Sequence, residues 1–201
     1  MKINPEIHHR HSLSLQGFDY SSPGFYFVTI CTQNRLCLFG DINERIMVLN
    51  DAGETINEEW ANLSLRFSHI VMDKYVVMPN HIHAIIRITG GPPFDAIRDY
   101  LKFKHKIPDD TESMKPGTAK NSIGRILQGF KSITTHSYIQ GVKNHDWPTF
   151  EGHLWQRNFY DRILRNRKEL ADIREYIVNN PPNWEWDEDN PHSNASDLRT
   201  T

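Results

Sequence analysis

Runs of apolar residues divide the chain into short segments with strand-like patterns. Continuous β-branched and aromatic stretches predict buried strands, and Pro79-Asn80 between two of these stretches predicts a hairpin turn or bulge. The predicted strands are Gly24 to Thr32 (GFYFVTICT), a partner at Leu36 to Gly40, Phe67 to Met78, Ile82 to Ile88, and a strand or extended turn at Trp155 to Leu164.

Three other segments space their apolar residues at intervals of three and four, which predicts amphipathic helices. The third of them begins at Asn166 with Glu169 three residues later, a capping-box pattern, and Pro181-Pro182 is predicted to end it. The predicted helices are Asn50 to Leu63, Ser122 to Gln140, and Asn166 to Asn179.

The order of these elements is strand, helix, two strands, helix, strand, helix. It predicts an α+β fold of the ferredoxin-like kind, an antiparallel sheet with helices packed on one face. We expect one domain over residues 1–182 that begins with a polar arm (about 1–20). Residues 104–121, with two prolines, predict a polar loop, and residues 183–201 an acidic tail.

Composition narrows the class of protein. A chain of 201 residues fits one domain, and 38% apolar with 24% charged residues is typical of a globular protein. It has no apolar run of about eighteen residues and no apolar leader segment, so neither a membrane span nor a secretory signal is expected. Two cysteines cannot make a disulfide framework, which favours the cytoplasm.

Charge is unevenly distributed along the chain. The net charge of −2 argues against a nucleic-acid binder when taken alone. Residues 41–62 hold six acids and one base, however, and residues 98–145 hold nine bases and four acids. A basic surface can therefore coexist with a near-neutral total.

His81 and His83 lie two apart in the segment MPNHIHAII. Alternate side chains of a strand share one face, so both imidazoles are expected to point the same way, with Ile82 and Ala84 on the other side. Neutral imidazole binds divalent metals, but two ligands are not a complete site. The alternative is a pair of strand histidines without a metal.

Other metal sites are also possible on residue type. Cys31 and Cys37 with the two histidines would make a Cys₂His₂ zinc set, although a spacing of six is not the usual one. The N-terminal cluster of His8, His9 and His11 offers further ligands.

Tyr176 and Asn180 are four apart in IREYIVNNP, so they would share one face of the last helix. A tyrosine hydroxyl needs a metal or a base to act as a nucleophile, and an amide oxygen can ligate the same ion. Imidazole with oxygen ligands suits Mg²⁺ or Mn²⁺ acting on a phosphate. In the alternative interpretation, Tyr176 packs on the sheet and Asn180 caps the helix.

Several separated motifs resemble one family. PNHIHAI, LWQRNFYDRILRN and IREYIVNNP, in this order and spacing, resemble the repeat-associated (REP-associated) tyrosine transposases. This family is part of the HUH class of single-strand DNA transposases. SIGRILQGFKS and the stretch GFYFVTICTQNRLCLFGDI agree, and the resemblance covers about residues 1–190.

The resemblance implies a ferredoxin-like fold with His81 and His83 as metal ligands and Asn180 in the position of the third. It implies that Tyr176 attacks a DNA phosphate, forming a 5′-phosphotyrosine link and releasing a 3′-OH. The partner would be single-stranded, hairpin-associated DNA, read partly by the N-terminal arm around His9, Arg10 and His11. The resemblance also implies a monomer or a homodimer. The insert at 104–121 departs from the family pattern.

Basic and polar residues before, in and after the long helix could follow a DNA backbone. Trp155, Phe159 and Tyr160 could stack on unpaired bases, or pack in the core. The candidates for backbone contacts are Arg10, Lys102, Lys104, Lys106, Arg125, Lys131, Arg157, Asn158, Arg162 and Arg165.

Three hypotheses follow. The first is a metal-dependent single-strand DNA transposase or endonuclease with Tyr176 as nucleophile. The second is a ferredoxin-like DNA- or RNA-binding protein without catalysis. The third is a structural zinc protein that uses Cys31 and Cys37.

Overall fold

The computed structural model describes residues 18–89 and 119–193. Six strands lie in this part of the chain, and they form two antiparallel sheets. In chain order the strands are Gly24–Cys31 (β1), Gly40–Asn43 (β2), Ile46–Leu49 (β3), Ile70–Val77 (β4), His81–Ile88 (β5) and Tyr160–Leu164 (β6). The main sheet has the order β4-β5-β1-β6, and β2 and β3 form a separate hairpin.

The helices begin at residues whose side chains accept hydrogen bonds from the first turn. Asn50, Ser122 and Asn166 each accept from the backbone N–H three residues on, which satisfies a donor that the helix itself cannot use. The α-helices are Asp51–Ala61 (α1), Leu63–Arg66 (α2), Ile123–Asn144 (α3) and Arg167–Asn179 (α4), and 3₁₀ turns occupy Gln33–Arg35 and Pro181–Trp186.

Both faces of the main sheet are covered. Even-numbered residues of β5, such as Ile82 and Ile86, pack with Trp60 of α1 and Phe130 of α3 in the larger core. On the opposite face, odd-numbered residues of β1 and β5 pack under α4 in a second, smaller core. The smaller core consists of Phe27, Ile85, Leu164, Leu170, Ile173 and Ile177.

The predicted fold class is confirmed. The strands β1, β4, β5 and β6 with helices α1 and α3 follow the βαββαβ order of the ferredoxin-like fold, and these two helices share one face of the sheet. The last helix, α4, differs from the prediction because it lies on the other face. His83 and Tyr176 face each other on that side.

The prediction of a partner strand for β1 at Leu36 to Gly40 is wrong. The neighbours of β1 are β5 and β6, and the backbone N–H groups of Leu38 and Phe39 instead donate to Pro79 O at 2.8 and 3.0 Å. Pairing begins only at Gly40, within the β2–β3 hairpin. The segment therefore holds the turn before β5 rather than extending the sheet.

The chain continues past α4 into ordered structure. Pro181 begins the 3₁₀ turn Pro181–Trp186, and the next residues return to the sheet, where Asp187, Asp189 and Asn190 are buried. Residues 183–193 of the predicted acidic tail thus pack against the domain. The arm at 1–17, most of the 104–121 insert and residues 194–201 lie outside the described residues. Within the described parts, no helix has the length and apolar character that crossing a bilayer requires.

Candidate metal centre and tyrosine site

His81 and His83 begin β5 and point to the face that α4 covers. Both side chains are buried, and their ring centroids lie 4.3 Å apart. The turn before them is closed by the N–H of Met78, which donates to His81 O at 2.8 Å. The strand geometry expected for an HxH pair, with Ile82 and Ala84 in the opposite core, is therefore observed.

His83 connects the sheet to the tyrosine helix. Its partner in the β1–β5 ladder is Thr29, whose hydroxyl lies 2.8 Å from His83 Nδ1. The hydroxyl of Tyr176, on α4, lies 3.1 Å from His83 Nε2. The structure thus brings together a strand histidine and the tyrosine that the sequence singled out, 93 residues apart.

Asp187 completes a group of potential metal ligands with the two histidines. One ligand atom from each of the three lies within 4.8 Å of the others, and all three residues are buried. The carboxylate is held in place, since its Oδ1 accepts from the Asp189 N–H at 2.6 Å. Sequence reasoning placed Asp187 in an acidic tail, and no motif in the sequence marked it.

Asn180 follows the last residue of α4 and is also buried. Its amide nitrogen donates to Asp187 Oδ2 at 2.8 Å, while its Oδ1 has no hydrogen-bond partner among the described residues. Burying an amide oxygen without a donor is unfavourable, and a cation would satisfy it. The assignment of Asn180 as a ligand stays a prediction.

This donor set fits a divalent metal. Two imidazoles, a carboxylate and an amide oxygen are the mixed nitrogen and oxygen ligands that Mn²⁺ and Mg²⁺ accept. The buried carboxylate of Asp187 favours a cation at this position. The buried amide oxygen of Asn180 supports the same conclusion.

His81 contacts its neighbour Asn80 and, from the C-terminal segment, Asp189. Asn80 Oδ1 lies 2.9 Å from His81 Nδ1, and Asp189 Oδ2 lies 3.9 Å from the same nitrogen. Arg35 donates to Glu188 O and lies 3.7 Å from Asp189 Oδ1, which fastens the C-terminal segment to the turn after β1.

Two kinds of contact fix α4 over the sheet. Ile173 and Ile177 are buried in the smaller core, and the Phe27 ring meets the Tyr176 ring edge-on, with centroids 6.0 Å apart. At the edge strand, Arg174 donates to both carboxylate oxygens of Asp73, at 2.8 and 2.6 Å. These hydrogen bonds lower the pKa of Asp73.

The predicted DNA-contacting residues are dispersed. Arg125 and Lys131 are on α3, which packs on the face opposite to Tyr176. Arg157 and Asn158 are exposed and precede β6, and Arg165 is exposed and precedes α4. Arg162 lies on β6, with its Nη2 4.0 Å from Glu169 Oε2. Arg10, Lys102, Lys104 and Lys106 lie outside the described residues. All these assignments stay predictions.

Lys131 holds the loop before β6. Its ammonium group donates to three backbone carbonyl oxygens, those of Gln156, Arg157 and Asn158, at 2.8, 3.3 and 3.0 Å. Burial lowers the pKa of Lys131 from 10.5 to about 8. The contacts give this lysine a structural role.

Among the described residues, neither Trp155 nor either cysteine belongs to the metal-capable group, which is formed by His81, His83 and Asp187. Trp155 is buried, and its Nε1 donates to Thr134 Oγ1 at 2.9 Å, so it packs in the larger core. Cys31 is the ladder partner of His81, and Cys37 is exposed. Within the described residues, the group of three ligands near His81 includes neither thiol.

Comparisons with known proteins found similar sequences and similar solved structures. No family model matches it. It is 38% identical over 190 residues to an uncharacterized protein of Haemophilus influenzae, covering 93% of this chain and 96% of that protein. It is also 23% identical over 166 residues to a second protein of that organism, named "Putative REP-associated tyrosine transposase", covering 81% of this chain and 73% of that one.

A solved structure has a similar fold. A solved REP-associated tyrosine transposase bound to a REP hairpin superposes with a TM-score of 0.52 at 16% identity, covering 85% of this chain and 74% of that one. The chain thus resembles a putative REP-associated tyrosine transposase in sequence and shares the fold of a solved one, as its motifs predicted.

Proposed function

We propose that this protein is a metal-dependent enzyme that cleaves and rejoins single-stranded DNA at hairpin-associated sites. The observation that carries the proposal is the position of the Tyr176 hydroxyl, 3.1 Å from His83 Nε2 and beside the group formed by His81, His83 and Asp187. A nucleophile and a metal-capable group at one place are what phosphoryl transfer needs.

His81, His83 and Asp187, with Asn180 beside them, are the residues that would hold Mn²⁺ or Mg²⁺. When bound, the metal supplies Lewis-acid stabilisation of the negative charge that builds up on the non-bridging phosphate oxygens. Other residues of the chain orient the tyrosine and the histidine. Phe27 and the smaller core orient Tyr176, and Thr29 orients His83.

The covalent step is a displacement at phosphorus. The Tyr176 Oη–P bond forms as the P–O3′ bond breaks, the phenol gives up its proton to water, and the departing 3′ oxygen gains one. The product is a 5′-phosphotyrosine and a free 3′-OH. Rejoining is the reverse, in which a 3′-OH attacks phosphorus and the tyrosine regains its proton.

The partner we propose is single-stranded DNA that carries a hairpin. The resemblance to a transposase whose structure contains a REP hairpin supports this choice.

The test is formation of a covalent adduct. The full-length protein is incubated with Mn²⁺ and a pool of labelled single-stranded oligonucleotides that carry a hairpin with randomised flanks, and the products are separated under denaturing conditions. We expect a protein–DNA adduct that is lost in Tyr176→Phe and in excess chelator.

Tyr160→Phe is the matched control. Tyr160 lies on the same face, 6.2 Å from the Phe27 ring, and is the ladder partner of Thr29. It should keep the adduct. An adduct that persists in Tyr176→Phe would refute the assignment of the nucleophile. Binding to the pool that survives chelator, with no adduct under any condition, would favour the non-catalytic binding protein.

A further inference from the structure

Asn80 is fully buried next to His81, and its amide group is fully engaged. The amide nitrogen donates to Arg35 O at 3.0 Å and to Asp189 O at 2.7 Å. An amide nitrogen has two hydrogens, so both are used. The orientation of the amide is fixed, because a flipped group would place its oxygen against two carbonyl oxygens.

The fixed orientation decides what Asn80 offers to His81. Asn80 Oδ1 lies 2.9 Å from His81 Nδ1, and an amide oxygen can only accept a hydrogen bond. The proton of the neutral imidazole must therefore be on Nδ1. The carboxylate of Asp189, 3.9 Å from Nδ1, favours the proton at the same atom. The lone pair of His81 is then on Nε2.

We propose that Asn80 is a positioning residue that holds His81 as the Nδ1–H tautomer and so keeps Nε2 available as a metal ligand. The use of that nitrogen by Mn²⁺ or Mg²⁺ rests on the proposed function, whereas the tautomer does not. Ligating histidines are commonly oriented in this way by a partner on the other ring nitrogen.

The proposal also gives a role to the segment that follows the tyrosine helix. Asn80 is locked by the carbonyl group of Asp189, and Arg35 binds the same segment through Glu188 O. The first part of the apparent acidic tail thus helps to set the protonation of a metal-ligand candidate on β5. It contributes Asp187 to the metal-capable group as well.

The tautomer can be measured directly in the metal-free, full-length protein. Long-range ¹H–¹⁵N NMR spectra of ¹⁵N-histidine protein at pH 8, where an imidazole of ordinary pKa (about 6.5) is neutral, distinguish a protonated from an unprotonated ring nitrogen. A His81→Gln variant assigns the resonances. We expect the His81 proton on Nδ1 in the wild type and a shift toward Nε2 in Asn80→Ala.

Metal binding provides the second readout. Mn²⁺ affinity, measured by calorimetry without DNA, should fall about 10–100-fold in Asn80→Ala, as expected for loss of a partner of a ligating histidine. Asn80→Asp keeps an acceptor for Nδ1 but cannot donate to the two carbonyl oxygens. It should therefore retain the Nδ1–H tautomer even where the C-terminal segment loosens.

Asn190→Ala is the matched control. Asn190 is a buried asparagine of the same segment that donates to Trp184 O at 2.9 Å and accepts from the His192 N–H, so it holds the segment without a hydrogen bond to His81. It should leave the tautomer and the Mn²⁺ affinity unchanged.

Two results would overturn the proposal. One is a His81 proton on Nε2 in the wild type, which requires no variant to fold. The other is an Asn190→Ala variant with the same loss of tautomer and affinity as Asn80→Ala, which would reduce Asn80 to a structural role. Failure of the adduct assay would remove the proposed function but leave the tautomer result intact.

Discussion

Thr29→Val tests how much the Thr29 hydroxyl beside His83 contributes to folding stability and to metal affinity. Valine keeps the branched shape that a strand favours, so the substitution removes the hydrogen bond with little change in volume. Thr29 is 5% exposed, and the bond is 2.8 Å long. Loss of one partner of a buried hydrogen bond costs about 1–3 kcal/mol. For a chain of this size, that lowers Tm by roughly 2–12 °C.

The same substitution should affect metal binding. Without the hydroxyl, the His83 ring loses the contact that orients it, and Mn²⁺ affinity should fall about 10–100-fold. Thermal unfolding and calorimetry with Mn²⁺ measure the two effects separately. Thr29→Ser keeps the oxygen and loses one methyl group, so it should cost about 0.8 kcal/mol and retain the affinity.

Thr134→Val is the control for a general loss of stability. Thr134 is fully buried in the larger core, donates to Phe130 O at 2.8 Å and accepts from Trp155 Nε1. The variant should lose comparable stability and keep its Mn²⁺ affinity. The reasoning is refuted if Thr29→Val binds Mn²⁺ like the wild type, or if Thr29→Ser loses as much affinity as Thr29→Val.

Three further substitutions test the fold around the site. Because Arg174 lowers the pKa of Asp73, the pair contributes stability above the unfolded pKa of about 3.9 and loses it as pH falls through the folded pKa. Urea titrations should show a difference of about 0.5 kcal/mol between wild type and Asp73→Asn at pH 6, and this difference should shrink as pH falls below about 3.9. Burial lowers the pKa of Lys131 from 10.5 to about 8, so between pH 8 and pH 10 this lysine holds its proton in the unfolded chain and loses it in the folded one. The free energy of unfolding should therefore rise from pH 8 to pH 10 in the wild type, and should rise less in Lys131→Met. Gly53→Ala, which in an ordinary helix interior would stabilise by about 1 kcal/mol, should lower Tm, since a Cβ would lie 2.0 Å from Phe39 O.

The elements that the sequence predicted correctly are those whose own side chains decide their state. In β5 every residue except Arg87 is buried, and helices α3 and α4 carry regular apolar stripes and N-caps at Ser122 and Asn166. For such segments, local pattern and tertiary burial agree, so periodicity is sufficient.

The β2–β3 hairpin is an element that the hydrophobic pattern and the turn residues did not predict. Its turn places Glu44 and Arg45 at positive φ, +49° and +67°, a conformation usually marked by Asn-Gly or Asp-Gly. Neither residue gives that signal. Both strands are also largely exposed, with Ile46 and Val48 facing solvent, so no buried face indicates the register.

The residues of the candidate site also differ in how far local sequence pattern predicts them. His81, His83 and Tyr176 could be proposed as site residues from the sequence, because short spacings place the histidines on one face of a strand and Tyr176 on one face of a helix with Asn180. Asp187 could not be identified, since its position depends on contacts such as that between Asn80 and the Asp189 carbonyl, 109 residues apart. An acidic stretch after two prolines has the composition of a tail, and composition carries no information about such contacts.

The alternation along β5 separates stability from the proposed chemistry. Ile82, Ala84 and Ile86 are buried in the larger core with α1 and α3, whereas His81 and His83 face the smaller core under α4. Replacing a residue of the first set leaves a cavity in the main core, which typically costs 2–5 kcal/mol for isoleucine to alanine. Replacing a histidine alters the polar group on the other side and leaves that core intact. A strand in the middle of the sheet can therefore hold both the histidines of the candidate site and the apolar residues of the main core, because the two sets of side chains lie on opposite faces.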